Sequence, residues 1–385
     1  MIPYGRHQIS DEDIAAVTEV LRSDWLTQGQ TVPRFEQAIA AYCGASHAVA
    51  VNSATSALHI ACLALDLGPG DWLWTSPVTF VASANCALYC GAQVDFVDIN
   101  PQTYNMSVER LAAKLEDAAR NNKLPKIVVP VHLCGQSCDM EAIYALSRRY
   151  GFKIIEDASH AIGAAYQGKP IGDCRYSDIT VFSFHPVKII TTGEGGMVTT
   201  NLPELADRMM RYRSHGVTND RSLMQPRPDE QIWNYQQIDL GFNYRMTDIQ
   251  AALGVSQLAR LDEFIKHRHD IAAAYDRAFA DLPVLAPWQH PDTRSSYHLY
   301  PIRIRAQDKT QRDVYSSLRK NGVGANLHYI PVYLQPYYAA MGFSEGYCPE
   351  AESYFKETIS LPMYATLTKA QQAHVISVVK ATLAS

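Results

Sequence analysis

The segment "HAVAVNSATSALHIACLAL", His47 to Leu65, reads as a short β-strand ending at Asn52 that runs straight into a helix opened by small hydroxyl residues. Valines recur with period two in its first half, and the apolar residues of its second half are spaced for a helix. The same rotation continues along the chain. "DWLWTS" (71–76) precedes "TFVASANCALYCG" (79–91), and "QVDFVDI" (93–99) precedes the amphipathic "VERLAAKLEDAARN" (108–121). "KIVVPVH" (126–132) precedes "MEAIYALSRRYG" (140–151), with "FKIIED" (152–157) after it. Strand and helix in strict rotation imply βαβ units, hence an α/β fold with a mostly parallel central sheet and helices on both faces.

Outward from this block the pattern changes. Upstream, Ser10 followed by "DED" is an N-cap with an acidic first turn, so a helix is expected over 11–22, and a second over 32–44 closed by Gly44. Downstream, "DITVFSF" (178–184) and "GGMVTTN" (195–201) read as adjacent strands, followed by a long polar loop at 214–237 of the kind that is functional in compact proteins. Residues 246–282 read as long helix, and the prolines of "LPVLAPWQHP" lead to a C-terminal part with a strand at "YHLYPIRIR" (297–305), a helix at 308–322 and a last helix near 368–383. The expected division is a large domain with an N-terminal arm over 1–255 and a small α/β domain over 256–385.

Composition narrows the function classes. Hydrophobic residues are 47% and charged residues 19% of 385, which describes an ordered globular chain. With 34 Lys plus Arg against 39 Asp plus Glu, and "KHRHD" (266–270) as the densest cationic patch, reading as a solvated helix face, nucleic acid is not an expected partner. No apolar run approaches the roughly 18 residues of a membrane span, and the N-terminal residues carry no apolar signal core, so a cytoplasmic enzyme is expected. Eight cysteines lie mostly in apolar segments, and the close pairs 86/90 and 134/138 are spaced CxxxC; reduced, mostly buried thiols and no metal are expected.

Three features fall at strand ends, where open α/β sheets bind ligands. In "NSATSALH" the free N–H groups of a helix start and Ser53, Thr55 and Ser56 offer a phosphate cradle, though N-capping by Ser53 or Thr55 accounts for the same residues. Asp157 follows an apolar strand directly, where it pairs a buried cation, caps the next turn, or does both. In "VFSFHPVKIITTGEGGM" (181–197) Lys188 stands among Phe184, Pro186, Val187, Ile189 and Ile190, and either snorkels to water or is a desolvated amine able to bond an aldehyde. Together the three match the needs of pyridoxal phosphate: a cradle for its phosphate, a lysine for its aldehyde and a carboxylate for its ring nitrogen.

The motifs "NSATSALH", "TFVASAN", "EDASHAIGA", "SFHPVKIITTGEGG", "RSHG" and "GFNYRMTDIQAALG" resemble, in order, those of the DegT/DnrJ/EryC1/StrS sugar aminotransferases, from Pro3 to "SLPMY" at 360–364. The resemblance implies the fold-type I architecture of pyridoxal-phosphate-dependent transferases. It implies Lys188 as the Schiff-base lysine, Asp157 as the ring-nitrogen partner, His160 beside the cofactor and Phe80 stacked on its ring. Ala54, where the family usually has glycine, and Thr55 would meet the phosphate through backbone N–H, Ser183 through its hydroxyl, and Asn243 would reach the phosphate of a neighbouring subunit's cofactor, so a homodimer is implied. Alanine at 54 matters only if that backbone needs a positive φ. Related dehydrases with histidine in place of the lysine are set aside by Lys188.

The reaction so implied is ping-pong. L-glutamate gives up its amine, with Lys188 moving the Cα proton, and a keto sugar then receives it. "PYGRHQISDEDI", "SDWLTQG", "TSPVTFVASANCALYCGA" and "LHYIPVY" most resemble the pseudaminic acid branch, which aminates C4 of a UDP-linked 4-keto-6-deoxy-N-acetylhexosamine. On that resemblance Tyr4, the segment Asp24, Trp25, Leu26 and Thr27, and the segment His328, Tyr329, Ile330 and Pro331 would contact the nucleotide sugar. For "HYIPVY" a proline-bounded turn filling the gap between domains is the other reading. The alternatives are another keto nucleotide sugar (UDP-4-keto-arabinose or a dTDP-keto-6-deoxyhexose), a non-catalytic cofactor-binding regulator, or a different pyridoxal enzyme such as a decarboxylase or desulfurase. A desulfurase needs a loop cysteine, and 214–237 has none.

Overall fold

A computed structural model describes residues 1–228, 230–231 and 234–383; Asp229, Ile232 and Trp233 of the polar 214–237 segment lie outside the described residues, as do 384 and 385. The strands anticipated from residue 47 onward form one sheet: β1 (His47–Val51), β2 (Trp72–Thr75), β3 (Gln93–Phe96), β4 (Ile127–Val129), β5 (Lys153–Asp157), β6 (Ile179–Ser183) and β7 (Gly196–Thr200). Their order is β1-β7-β6-β5-β4-β2-β3. Neighbours from β3 to β6 pair in parallel, and β7 alone runs antiparallel, between β6 and β1. Every parallel strand therefore ends on the same edge.

Alternation along the strands splits the apolar residues between two layers. Val49, Val51, Leu73, Val129, Ile155, Val181 and Val198 face one core with helices α3 (Ala54–Ala64), α4 (Ala82–Tyr89) and α7 (Pro203–Arg213). Ala50, Trp74, Val128, Ile154, Phe182 and Met197 face the other, with helices α2 (Thr31–Cys43), α5 (Val108–Arg120) and α6 (Met140–Tyr150). Helix α1 (Asp11–Leu21) starts at Ser10 with a full capping box: the hydroxyl accepts from Asp13 N and the Asp13 carboxylate accepts from Ser10 N.

The single long helix expected over 246–282 is two, α8 (Asp248–Leu258) and α9 (Leu261–Phe279), broken at Ala259–Arg260. Leu261, Phe264 and Ile265 of α9 pack into the large core, whereas Ile271, Ala272, Tyr275 and Phe279 belong to a third core. That third core is built on a small antiparallel sheet of β8 (Val284–Leu285), β9 (Tyr300–Ile304) and β10 (Thr358–Leu361), covered by α10 (Gln311–Lys320) and the last helix, Lys369–Leu383. Strand β10 and helix α7 were not assigned from sequence. Of the "KHRHD" patch, Lys266, His267 and Asp270 are exposed, but Arg268 is 2% exposed and faces inward, where its Nη1 donates to the carbonyls of Tyr297, His298 and Met363. Burial lowers its guanidinium to about 10. All eight cysteines are free, and all but Cys90 are buried. Among the described residues no helix is long and apolar enough to cross a membrane.

Helix α2 has no side-chain cap of its own. The fully buried Asp248 serves instead, accepting from Gly29 N (2.8 Å), Thr31 N (2.8 Å) and Val32 N (3.2 Å) across more than two hundred residues of sequence. It ties the 24–32 segment to the start of α8, where Asp248 N also donates to Leu26 O. Asp248→Ala strands three donors at once and is expected to lower stability by about 2–4 kcal/mol; a urea midpoint equal to the parent's would show that α2 does not depend on this cap.

Candidate active site

The carboxyl edge of the sheet opens on a cavity of about 1020 Å³. Strand β1 delivers Asn52 to Thr55, the loop after β2 brings Thr79 to Ser83, β5 ends at Asp157 with Ser159 and His160 beyond, and β6 ends at Ser183 with Lys188 after it. The other wall comes from Asn326 to Ile330 and from Tyr4 of the N-terminal arm. That arm is held by Ile2, whose N–H donates to Gly322 O and whose carbonyl accepts from Gly324 N, and by Tyr4 O, which accepts from Met363 N.

At the first strand end the capping and cradle readings coexist. Ser53 is the N-cap of α3, its hydroxyl accepting from Ser56 N at 3.1 Å. The N–H groups of Ala54 and Thr55, in the first turn of α3, have no acceptor within the helix and lie in the cavity wall. Ala54 is helical rather than at positive φ, so alanine carries no strain there. Gly196 pairs with both Val51 and Ser183, and a Cβ on it would stand 2.5 Å from Ser53 O and 2.7 Å from Ala54 N. The left-handed residue of the preceding turn is Gly193 (φ 81°); Gly195 and Gly196 are needed for close approach.

Asp157 is buried and accepts from Ser83 Oγ at 2.6 Å and from Ser159 N at 3.1 Å. Lys188 is partly buried and is the one lysine or arginine among the described residues lining the cavity. Burial brings its ammonium down to about 8, and the charge of Asp157 opposes that fall. Three imidazoles stand close by and are all held neutral at pH 7. His160 and His298, whose rings are 4.3 Å apart, are pushed well below their ordinary value by burial and by neighbouring positive charge, and His328 falls to about 4 for the same reasons. His160 Nδ1 accepts from Cys134 N at 3.3 Å, so its proton lies on Nε2 and points to Tyr329 Oη, 3.3 Å away. Tyr329 is then free to donate its own proton elsewhere.

The remaining sequence-derived residues fall into two groups. Phe80, 60% exposed, Ser183, Tyr4, His328, Tyr329 and Ile330 all line the cavity. Asp24, Trp25, Leu26 and Thr27 do not; they lie exposed, with Thr27 bridged to Thr247. Pro331 is buried outside the lining, and Asn243 is exposed, its carbonyl near Asn52 Nδ2 at 3.4 Å. Sequence reasoning passed over Ser83, Glu194, Gln250 and Asn326, which also line the cavity. Gln250 Nε2 and Thr192 Oγ1 both donate to Glu194 O, at 2.8 and 2.7 Å, pinning that turn while its carboxylate stays exposed. Ser83 had a readable signal, one helical turn beyond Phe80; Glu194 had one inside "TTGEGG".

An amine with a value near 8 is about one-quarter neutral at pH 7.5, against about one part in a thousand for an ordinary lysine. Trinitrobenzenesulfonate should therefore label Lys188 with a rate that rises to half its plateau near pH 8 and is absent in Lys188→Arg. A midpoint above pH 10 would refute the desolvated amine.

Comparison with known proteins agrees with this geometry. Residues 7–380 match the DegT/DnrJ/EryC1/StrS aminotransferase family. A UDP-4-amino-4,6-dideoxy-N-acetyl-beta-L-altrosamine transaminase of Campylobacter jejuni is 37% identical over 366 residues, covering 94% of this chain and 93% of that one. A GDP-perosamine synthase of Caulobacter vibrioides is 38% identical over 365 residues, covering 94% and 92%. Among solved structures, Helicobacter pylori PseC, an aminotransferase involved in the biosynthesis of pseudoaminic acid, superposes with a TM-score of 0.88 at 32% identity over 100% of this chain and 99% of that one. A Streptococcus pneumoniae protein described as a sugar aminotransferase, in its PLP form, gives 0.88 at 28% identity over 100% and 98%. With its parallel sheet, its strand-end cavity and near-complete coverage by these relatives, the chain belongs to the DegT/DnrJ/EryC1/StrS family of sugar aminotransferases.

Proposed function

We propose that this enzyme moves an amino group from L-glutamate to C4 of a UDP-linked 4-keto-6-deoxy-N-acetylhexosamine, using pyridoxal phosphate held on Lys188. One observation carries the reading: a lysine near 8, a buried carboxylate and an open helix N-terminus converge on one cavity. That donor set fits the cofactor, which when bound supplies an electrophilic aldehyde and an electron-accepting ring.

The protein's part follows from its own groups. Ala54 N, Thr55 N and the Ser183 hydroxyl would hold the phosphate where the dipole of α3 favours an anion. Asp157, fixed by two donors, would accept from a protonated ring nitrogen, and Phe80 would cover the ring face. Once displaced by the incoming donor amine, Lys188 Nζ would take the proton from the donor Cα and hand it to the former aldehyde carbon of the cofactor. Because His160, His298 and His328 are neutral, they add no charge against the lysine when it is protonated. Tyr4, His328, Tyr329 and Ile330 close the cavity over the sugar and exclude water. The exposed Phe80 and Asn243 support a homodimer in which a second subunit completes the site, with the 24–27 segment meeting the nucleotide at that junction.

A second substrate has a specific observation behind it: the GDP-perosamine synthase is as similar as the altrosamine transaminase. Two measurements decide. Protein loaded with pyridoxal phosphate should lose its visible band on addition of L-glutamate, and Lys188→Ala should lose turnover by at least about 10³-fold; an unchanged spectrum would end the aminotransferase reading. The glutamate-treated enzyme, offered UDP-, GDP- and dTDP-linked keto sugars in turn, should recover the band fastest with the UDP-linked 4-keto-6-deoxy-N-acetylhexosamine.

A further inference from the structure

We propose that Ser83 is the positioning residue for Asp157, and that Thr79 and Ser83 form a one-directional hydroxyl chain that fixes which carboxylate oxygen faces the cavity. This rests on the reading that Asp157 meets the cofactor's ring nitrogen.

Thr79, Ser83 and Asp157 are all buried. Ser83 Oγ lies 2.6 Å from Asp157 Oδ2, and Thr79 Oγ1 lies 2.8 Å from Ser83 Oγ. An ionised carboxylate only accepts, so the Ser83 proton is committed to Oδ2. Ser83 Oγ must then accept, and Thr79 is the donor. The alternative Ser83 partner, Phe80 O, is longer at 3.3 Å. Ser159 N takes Oδ1 from the other side, so the carboxylate is gripped at both oxygens and cannot turn.

The same turn carries Phe80, whose carbonyl accepts from Ser83 N at 3.2 Å. One short segment at the start of α4 thus sets a ring above the cavity and steadies the carboxylate at its wall. Without the Ser83 hydroxyl, Oδ2 loses its donor in a cavity where, among the described residues, Lys188 is the one lysine. The carboxylate then turns toward that ammonium. Of the other titratable groups around the cavity, His160, His298 and His328 are neutral, the Tyr4 and Tyr329 phenols are raised by burial and stay protonated, and His185 and Glu194 are solvent-exposed, so Asp157 is the charge that acts on Lys188.

The test needs no turnover. In cofactor-free protein, Ser83→Ala should raise the pH midpoint of Lys188 labelling from near 8 to about 9 or higher, the effect of an opposite charge moved close. Ser83→Thr should restore the parent value, and Thr79→Val should shift it in the same direction by less. Pyridoxal phosphate should bind Ser83→Ala about 10- to 100-fold more weakly, the loss of one hydrogen bond to a charged group. Should Ser83→Ala melt well below the parent, Thr79→Val, which keeps shape and loses only the donor, decides alone. A parent-like midpoint in both variants, or a Ser83→Thr as impaired as Ser83→Ala, overturns the proposal. Failure of the parent itself to bind pyridoxal phosphate counts against the function proposed above and leaves the labelling result to judge Ser83.

Discussion

The contact on which the site depends is backbone against backbone: Gly196 of β7 lying directly under Ser53 and Ala54. No side chain fits between them, since a Cβ at 196 would overlap the Ser53 carbonyl carbon at 2.6 Å and its oxygen at 2.5 Å. The absence of that carbon lets α3 seat its N-terminus on the sheet edge, and the register of β7 places Ser183 opposite the same glycine. A helix terminus and a strand-end hydroxyl therefore meet through one close approach. The lone antiparallel strand in an otherwise parallel sheet is what puts Gly196 there.

A second constraint is electrostatic. Lysine, three imidazoles and a buried arginine crowd one region, and they cannot all be charged in so little water. Arg268, lowered by burial only to about 10, stays charged at pH 7 and donates to three carbonyls. The imidazoles give theirs up, and Lys188 is left near the balance point, with Asp157 as the counterweight. The Lys188 amine is thus set by two opposed effects, burial that lowers it and the Asp157 carboxylate that holds it up.

Much of this was readable because strand ends and helix starts are local signals. Asn52–Ser53, Asp157 and Lys188 sit at such junctions, so their meeting at one sheet edge follows from βαβ rotation alone. What escaped reading was joined across the fold. Asp248 caps a helix it never touches in sequence, His160 and Tyr329 are 169 residues apart along the chain, and Ser83 reaches Asp157 between separate strands. Arg268 looked like part of a solvated face because a charge pattern does not say which side of a helix is covered. The break between α8 and α9 at Ala259–Arg260 carried no proline or glycine to mark it. The 24–27 segment was expected at the sugar from resemblance, yet it stands outside the cavity.

The N-terminal arm has a bearing on how the enzyme comes into being. Ile2 pairs with Val323, and Tyr4 packs its ring 5.2 Å from that of His328. During synthesis the arm precedes its partners by about 320 residues and must wait for them to be made. The large sheet has all its strands by Thr200, so it can assemble early, but the cavity acquires its outer wall only when the C-terminal part arrives and captures the waiting arm. The outer wall of the site, made of Tyr4 and Asn326 to Ile330, thus joins segments that are far apart along the chain, whereas the sheet beneath it is complete within the first two hundred residues.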